Sequence, residues 1–193
     1  QYAYQILSLC QQAEDSLTAM QRSLPIRLGA SITIGDIFLV ELLTYCRRTR
    51  PDWSILSAIH NTEELEQFLI EDKLDLALVE GRIQSPYLVS RPILTDYLTL
   101  IASPESEWSR KAITAPQDLD GLPVFVREQG SGTRDLFERV LEAHHLTCQV
   151  VGVYNNSEAI KKAVMANLGL AVLSRRLVQD EIKTGRLVEL PLP

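Results

Sequence analysis

The sequence predicts an α/β protein of two βα lobes preceded by a helix. Three observations carry this reading. After Pro25, apolar runs of strand length alternate with stretches of helical period; the alternation occurs twice; and no Gly/Ser-rich linker separates the two halves. With 193 residues, 46% of them apolar, the chain can bury a substantial core, which excludes a wholly disordered polypeptide.

The leading segment reads as an amphipathic helix over 1–24. Ala3, Ile6, Cys10, Ala13, Leu17, Met20 and Leu24 recur at alternating spacings of three and four, a heptad seam about three heptads long. Two readings stand for it: pairing with another subunit, or packing on its own domain. Pro25 ends the pattern, because the residue before proline is pushed out of helical geometry. The chain begins inside helical pattern without an initiator Met, which reads as a fragment whose preceding domain is missing.

The first unit follows. Ile26 to Ala30 is a strand, and a helix from about Gly35 to Arg50 carries Ile37, Leu39, Val40, Leu42, Leu43 and Cys46 on its apolar positions. Pro51-Asp52 turns the chain into a strand from Trp53 to His60. Asn61 caps the next helix, and Glu64 three residues on completes a capping box. Leu74 to Val79 is the third strand. The second unit reads as a repeat of this plan: strand Tyr97 to Ala102, a Pro-containing loop-rich stretch, strand Pro123 to Val126, a helix from about Thr133 to His145, and strand Cys148 to Val153. A helix capped by Asn156 or Ser157 runs toward Gly169, before strand Leu170 to Leu173 and a final strand Leu187 to Leu190. Crossings between lobes are placed at Arg91 to Thr95 and, returning, at Leu173 to Arg176. The boundaries are therefore 1–24 for the helix, 26–93 with 175–193 for lobe I, and 94–174 for lobe II.

A ligand in such a fold belongs at the carboxyl ends of the strands, between the lobes. Three turns lie there. Ser31-Ile32-Thr33-Ile34-Gly35 offers two hydroxyls and free N–H groups at a helix start, suited to an anion or equally to plain capping. Asn61-Thr62 occupies the same place on the second turn, where capping explains it fully. Glu128-Gln129-Gly130-Ser131-Gly132-Thr133-Arg134 lets backbone approach a ligand; it lacks the Lys-Ser/Thr pair of a phosphate loop, and Asp135 breaks the dinucleotide spacing. Arg134 has Glu138 as an i+4 partner, and Arg82 is a counter-ion candidate for which a solvated loop Arg is the default. Asp75 and Glu80 are the acids expected near the crevice.

No catalytic set emerges. His60, His144 and His145 do not fall into ligand spacing, and Gly130-Ser131-Gly132 has the wrong spacing for a nucleophile elbow. The expectation is a non-enzyme without metal or cofactor. The formal net charge of -6 lacks the basic field that nucleic-acid binding usually needs, so DNA contact would have to come from elsewhere. Cys10, Cys46 and Cys148 form no disulfide framework and fit a reducing, cytoplasmic setting, and no apolar run is long enough to span a bilayer.

The order of the motifs carries a resemblance. Leu28-Gly29-Ala30-Ser31-x-Thr33-Ile34-Gly35, Asn61-Thr62, Asp75-Leu76-Ala77-Leu78-Val79-Glu80-Gly81, Arg127-Glu128-x-Gly130-Ser131-Gly132-Thr133-Arg134, Asn167-x-Gly169-Leu170-Ala171-Val172-Leu173 and Gly185-Arg186-Leu187-Val188 together resemble the effector-binding domain of LysR-type transcriptional regulators over 26–193. The resemblance implies two Rossmann-like lobes joined by two crossing segments, the type II periplasmic-binding-protein-like fold. It also implies a linker helix at 1–24, a small-molecule effector in the interlobe cleft, and an absent N-terminal winged helix-turn-helix that alone contacts DNA. By position, the effector-binding candidates are Ser31, Thr33, Ile34, Asn61, Thr62, Gly130, Ser131, Gly132 and Thr133. The hydroxyl-rich, helix-terminal turns favour as effector a small anion such as an organic acid, sulfate or a phosphorylated metabolite, with a neutral polar ligand as the alternative. Implied partners are further copies of the chain, as homodimer or homotetramer, and RNA polymerase for the full-length protein, with no membrane. Where the family has Pro after the strand at 170–173, this chain has Ser174 and Arg175. A transporter's solute-binding protein would share the fold and is the alternative.

Overall fold

The computed structural model describes residues 6, 7, 9–12, 14, 24–111, 113 and 115–190. Residues 6, 7, 9–12 and 14 are helical, with Ile6, Leu7 and Leu9 exposed. The other seam positions except Leu24 (Ala3, Ala13, Leu17 and Met20) lie outside the described residues.

The first lobe is a parallel three-stranded sheet, β2-β1-β3, formed by β1 (Ile26–Ala30), β2 (Ile55–Ile59) and β3 (Leu76–Leu78). Helix α1 (32–49) joins β1 to β2, and α2 (Thr62–Ile70) joins β2 to β3. Alternate residues of β1 face opposite sides, as strand geometry requires. Leu28 and Ala30 pack with Ile34, Leu39, Leu42 and Leu43 of α1. Gly29 faces the other way, where a Cβ would come within 2.5 Å of the Leu65 side chain; hydrogen at that position lets α2 sit directly on the strand backbone. Helix α1 starts three residues earlier than the apolar pattern indicates. It contains a π-helical stretch, Gly35–Leu39, between α-helical Ile32–Ile34 and Val40–Thr49. The wider turn keeps Leu39 in the core of its own lobe while Ile37 packs against the core of the second.

The second lobe is a five-stranded sheet in the order β6-β5-β7-β4-β8: β4 (Leu98–Ala102), β5 (Pro123–Arg127), β6 (Gln149–Tyr154), β7 (Leu170–Ser174) and β8 (Val188–Leu190). Helices α3 (Gly132–Ala143) and α4 (Ser157–Met165) follow β5 and β6, and the short α5 (Gln179–Lys183) follows β7. The sheet does not repeat the first: β5 pairs in parallel with β6 and β7, while β4 runs antiparallel to both β7 and β8.

The lobe boundary moves accordingly. Residues 175–193 are assigned to lobe I by the sequence, but 175–190 belong to lobe II. Leu100 pairs with Leu190, and Leu177, Val178 and Leu187 are buried against Ile101, Phe125 and Ile160. Apolar burial and an antiparallel edge hold the segment there, and neither leaves a strongly directional mark on a short sequence. The segment 79–97 carries the chain between the lobes. The stretch expected to carry it back lies against that segment instead: the Ser174 hydroxyl donates to Asp96 Oδ2 at 2.5 Å, and Arg175 N–H donates to the Tyr97 carbonyl at 2.9 Å. Ser174 and Arg175 thus tie β7 to the segment that passes between the lobes by hydrogen bonds.

Lys161 of α4 and Glu181 of α5 are buried and pair at 3.0 Å; Glu158 also contacts Lys161, and Arg186 lies 3.6 Å from Glu181. Removing one partner of a buried pair strands the other charge. Lys161→Ala is expected to lower stability by about 3 kcal/mol in urea unfolding, while Lys161→Met combined with Glu181→Leu recovers most of the loss. An unchanged midpoint for Lys161→Ala would show that the pair does not anchor 175–190.

Candidate functional site

The carboxyl ends of β1, β2 and β3 face the loop after β5, and the side chains predicted from sequence meet there around one residue. Glu80, just beyond β3, accepts hydrogen bonds at Oε1 from Thr33 Oγ1 of the first lobe at 2.6 Å and from Thr133 Oγ1 of the second at 2.7 Å. Both threonines are buried because each sits in the first turn of a helix pressed against the opposite lobe. The two hydroxyls expected to grip a guest from opposite sides therefore grip a carboxylate of the chain itself.

Backbone contacts close the lobes beside this point. Glu63 N–H donates to the Gly130 carbonyl at 3.1 Å, and the Thr62 hydroxyl lies 3.4 Å from the Glu80 carbonyl. Gly132 lies so close that a Cβ there would overlap the Glu80 carbonyl oxygen and reach Thr62 Oγ1 at 3.0 Å. Gly130 adopts φ +84° next to Asn61 and Glu63. Thr33, Thr62, Gly130, Gly132 and Thr133 thus converge at the junction of the lobes.

The remaining candidates sit around that centre. Asn61 caps α2, accepting from Glu64 N–H at 2.9 Å, with Glu64 completing the capping box. Ser31 caps α1 weakly, Ile34 N–H to Ser31 Oγ being 3.5 Å, and the Ile34 side chain packs into the lobe I core. Asp75 is not at the crevice. It precedes β3 and pairs with Arg27 at the start of β1 (2.7 Å), at the opposite end of a parallel sheet. Arg134 pairs with Glu138 at 2.6 Å, the i+4 partner expected from the sequence.

A cavity of about 270 Å³ opens from this junction between the lobes, lined by Thr62, Arg82, Gln84 and Ser131 among others. Four carboxylates also line it, but three are engaged. Glu66 accepts the N–H groups of Gln84 and Ser85, Asp135 pairs with Arg139, and Glu138 with Arg134. Ser131 starts α3 without capping it; its hydroxyl is buried and makes no hydrogen bond among the described residues, and the residue lines the cavity. Buried hydroxyls are nearly always paired, so this one marks a place for a partner.

Arg127, buried at the end of β5, was not singled out from the sequence. Its Nε bonds Glu128 at 2.9 Å, Nη1 has no partner among the described residues, and its charge acts on both Glu80 and Asp36. A charged residue closing a strand otherwise buried was the available signal. Asp36, on the π-helical stretch, approaches the Ser157 hydroxyl without closing a bond of ordinary geometry; burial pushes its carboxyl up. Among the described residues no cluster of three or more His, Cys, Asp or Glu could hold a metal ion.

Burial pushes the Glu80 carboxyl above its ordinary range, the threonine hydroxyls and Arg127 pulling it down and Asp96 adding to the rise. A carboxyl raised by folding binds its proton more tightly in the folded state. Its stabilisation is complete below the ordinary carboxylate range and is lost as pH rises through the folded value. Glu80→Gln, always neutral and able to accept both hydroxyls, is expected to melt above the parent at pH 7.5 and to converge with it near pH 4.5; a gap independent of pH would contradict a desolvated carboxylate. Gly132→Ala forces the lobes apart at the Glu80 carbonyl. A loss of about 1–3 kcal/mol is expected, with a larger radius of gyration in X-ray scattering, and an unchanged radius would place the lobe contact elsewhere.

Residues 20–193 match the family model described as the LysR substrate binding domain. The chain is 34% identical over 168 residues to the HTH-type transcriptional regulator YeiE of Escherichia coli (strain K12), covering 87% of this chain and 57% of that one. It spans about three fifths of the length of the curated relatives it matches. Among solved structures, the regulatory domain of Synechocystis PCC6803 CcmR in complex with 2-PG superposes with a TM-score of 0.79 at 24% identity, covering 87% of this chain and 80% of that one. The effector binding domain of QuiR in complex with shikimate gives 0.77 at 16%, covering 88% and 81%. At these identities the superpositions speak for the fold, and the fold agrees with two lobes meeting at the carboxyl ends of their strands. With the family model matching nearly the whole chain, the protein belongs to the LysR substrate binding domain family.

Proposed function

We propose that this domain senses a small oxyanion in its interlobe cleft and that, in the full-length protein, the signal passes to an N-terminal helix-turn-helix that binds DNA. The single observation that carries the reading is the buried, unpartnered Ser131 hydroxyl beside a cavity of about 270 Å³ between the lobes. The volume is at the small end for ligand pockets, which suits a metabolite of few heavy atoms. Arg82 is exposed on the cavity wall and supplies a positive charge there. Relatives support the class: YeiE is an HTH-type transcriptional regulator, and the CcmR and QuiR domains were solved with 2-PG and shikimate.

The mechanism is a population shift. Lobe contacts at Glu63 to Gly130 and around Glu80 define one arrangement, and a guest touching both lobes biases the equilibrium among arrangements by its differential affinity. Changed lobe orientation then alters how copies of the chain pack in a homodimer or homotetramer, and through the linker helix how the DNA-binding domains are spaced. The regulator works in the cytoplasm and contacts DNA, and RNA polymerase, only as the full-length protein. It catalyses no reaction.

The test is a thermal-shift screen of inorganic phosphate, sulfate and small carboxylates, followed by titration calorimetry on Ser131→Ala. A compound at about 100 times its Kd raises folding stability by roughly 2.7 kcal/mol. Loss of the Ser131 hydroxyl is expected to weaken binding about tenfold, the equivalent of about 1.4 kcal/mol. If no oxyanion shifts the melt, or Ser131→Ala binds as the parent does, the cleft is not the sensing site.

A further inference from the structure

The wall of the interlobe cavity holds more acids than bases, which narrows the class of guest it can take; this rests on the reading of the cleft as the sensing site. Glu63, Glu66, Asp135 and Glu138 line it against Arg82 and Arg134, four carboxylates to two guanidinium groups. Four of these six groups are committed. Arg134 pairs with Glu138 at 2.6 Å and Asp135 with Arg139 at 2.8 Å, while Glu66 accepts the N–H groups of Gln84 and Ser85 at 3.2 and 3.0 Å. The two left over are of opposite sign. Neither the Glu63 carboxylate nor the Arg82 guanidinium has a hydrogen-bond or ion-pair partner among the described residues.

Both are nevertheless held in place. Glu63 N–H donates to the Gly130 carbonyl at 3.1 Å, and its carboxylate lies against Gly130 so closely that a Cβ there would come within 2.7 Å of Oε2. A carboxylate of the first lobe therefore stands on the second lobe's loop, one residue before Ser131, whose buried hydroxyl has no partner among the described residues. Arg82 sits between two fixed points: Gly81, where a Cβ would meet the Gly132 Cα at 3.1 Å, and Gln84, tied to Glu66.

We infer that the cavity takes a small zwitterion of the amino-acid type, its carboxylate received by Arg82 and its ammonium group by Glu63. A guanidinium fork matches a carboxylate. An ammonium group carries three protons and no acceptor, which suits a wall with surplus carboxylate. A guest that is only an anion confronts Glu63 with like charge, and one that is only a cation does the same to Arg82. A guest with both charges completes both pairs. Discrimination follows because the mismatched guest takes water from a charge and returns no partner.

Probe pairs that differ only in an ammonium group test this: L-aspartate against succinate, and L-alanine against propionate. Each is titrated calorimetrically into the parent, Glu63→Gln and Arg82→Gln, all verified as folded by their melts. The parent is expected to prefer the amino member of at least one pair by tenfold or more. Glu63→Gln is expected to cut that preference below threefold by weakening the amino member alone, whereas Arg82→Gln weakens both members together. Equal affinity within both pairs for the parent overturns the proposal and leaves the sensing reading intact. So does a preference that survives Glu63→Gln, or an Arg82→Gln variant that binds as the parent does. Binding of inorganic phosphate or sulfate with none of the four probes bound likewise overturns the proposal alone. If neither the four probes nor phosphate and sulfate bind the parent, the oxyanion reading of the cleft and the proposal on it both fall.

Discussion

The arrangement of the whole molecule depends on one carboxylate that collects hydroxyls from two lobes. Glu80 stands just beyond β3, an edge strand of the parallel sheet of the first lobe, so its position follows from β3, while Thr33 and Thr133 stand in first helical turns that start at equivalent ends of different sheets. A single oxygen accepting two hydrogen bonds at 2.6 and 2.7 Å, with Arg127 close enough to influence its ionisation, makes the junction electrostatically committed. The neighbouring glycines complete the constraint by letting the Gly130 to Gly132 backbone come into direct contact with the first lobe. Ile37, turned outward by the π-helical stretch, adds an apolar contact from the first lobe to the core of the second.

This geometry separates two roles that one loop performs. Gly130 and Gly132 hold the lobes together through backbone, whereas Ser131, between them, lines the cavity and keeps a buried hydroxyl that has no hydrogen-bond partner among the described residues. A guest that satisfies Ser131 acts next to the bonds that define lobe orientation, which gives a short physical route from occupancy to conformation. Ser174, bonded to Asp96 where the chain passes between lobes, lies in the same region electrostatically, since Asp96 also acts on Glu80.

Most of the secondary structure was legible in the sequence because it is written in local patterns. The Asn61 and Glu64 capping box, the strand from Ile26 to Ala30 and the Gly132 helix start all rest on side chains within four residues of one another. Among the residues at the lobe junction, Thr33, Thr62 and the Gly130 to Thr133 loop stand in βα turns that the sequence marks. Glu80 was noticed only as an acid at a strand end, and Asp75 was grouped with it in error, since a parallel sheet sends its two ends to opposite sides of the lobe. Arg127 left one signal, a charged residue closing an otherwise apolar strand, and that signal does not say that the side chain is buried.

The sequence by itself determined the βα alternation, the family and the turns from which the site is built, because hydrophobic period, capping residues and motif order are properties of neighbours along the chain. Tertiary structure alone decided that residues 175–190 complete the second sheet, that β4 runs against β7, and that two threonines a hundred residues apart share one carboxylate oxygen. Those outcomes depend on which apolar faces and which hydrogen-bond donors meet through space, and a donor's eventual acceptor is not encoded in its neighbours.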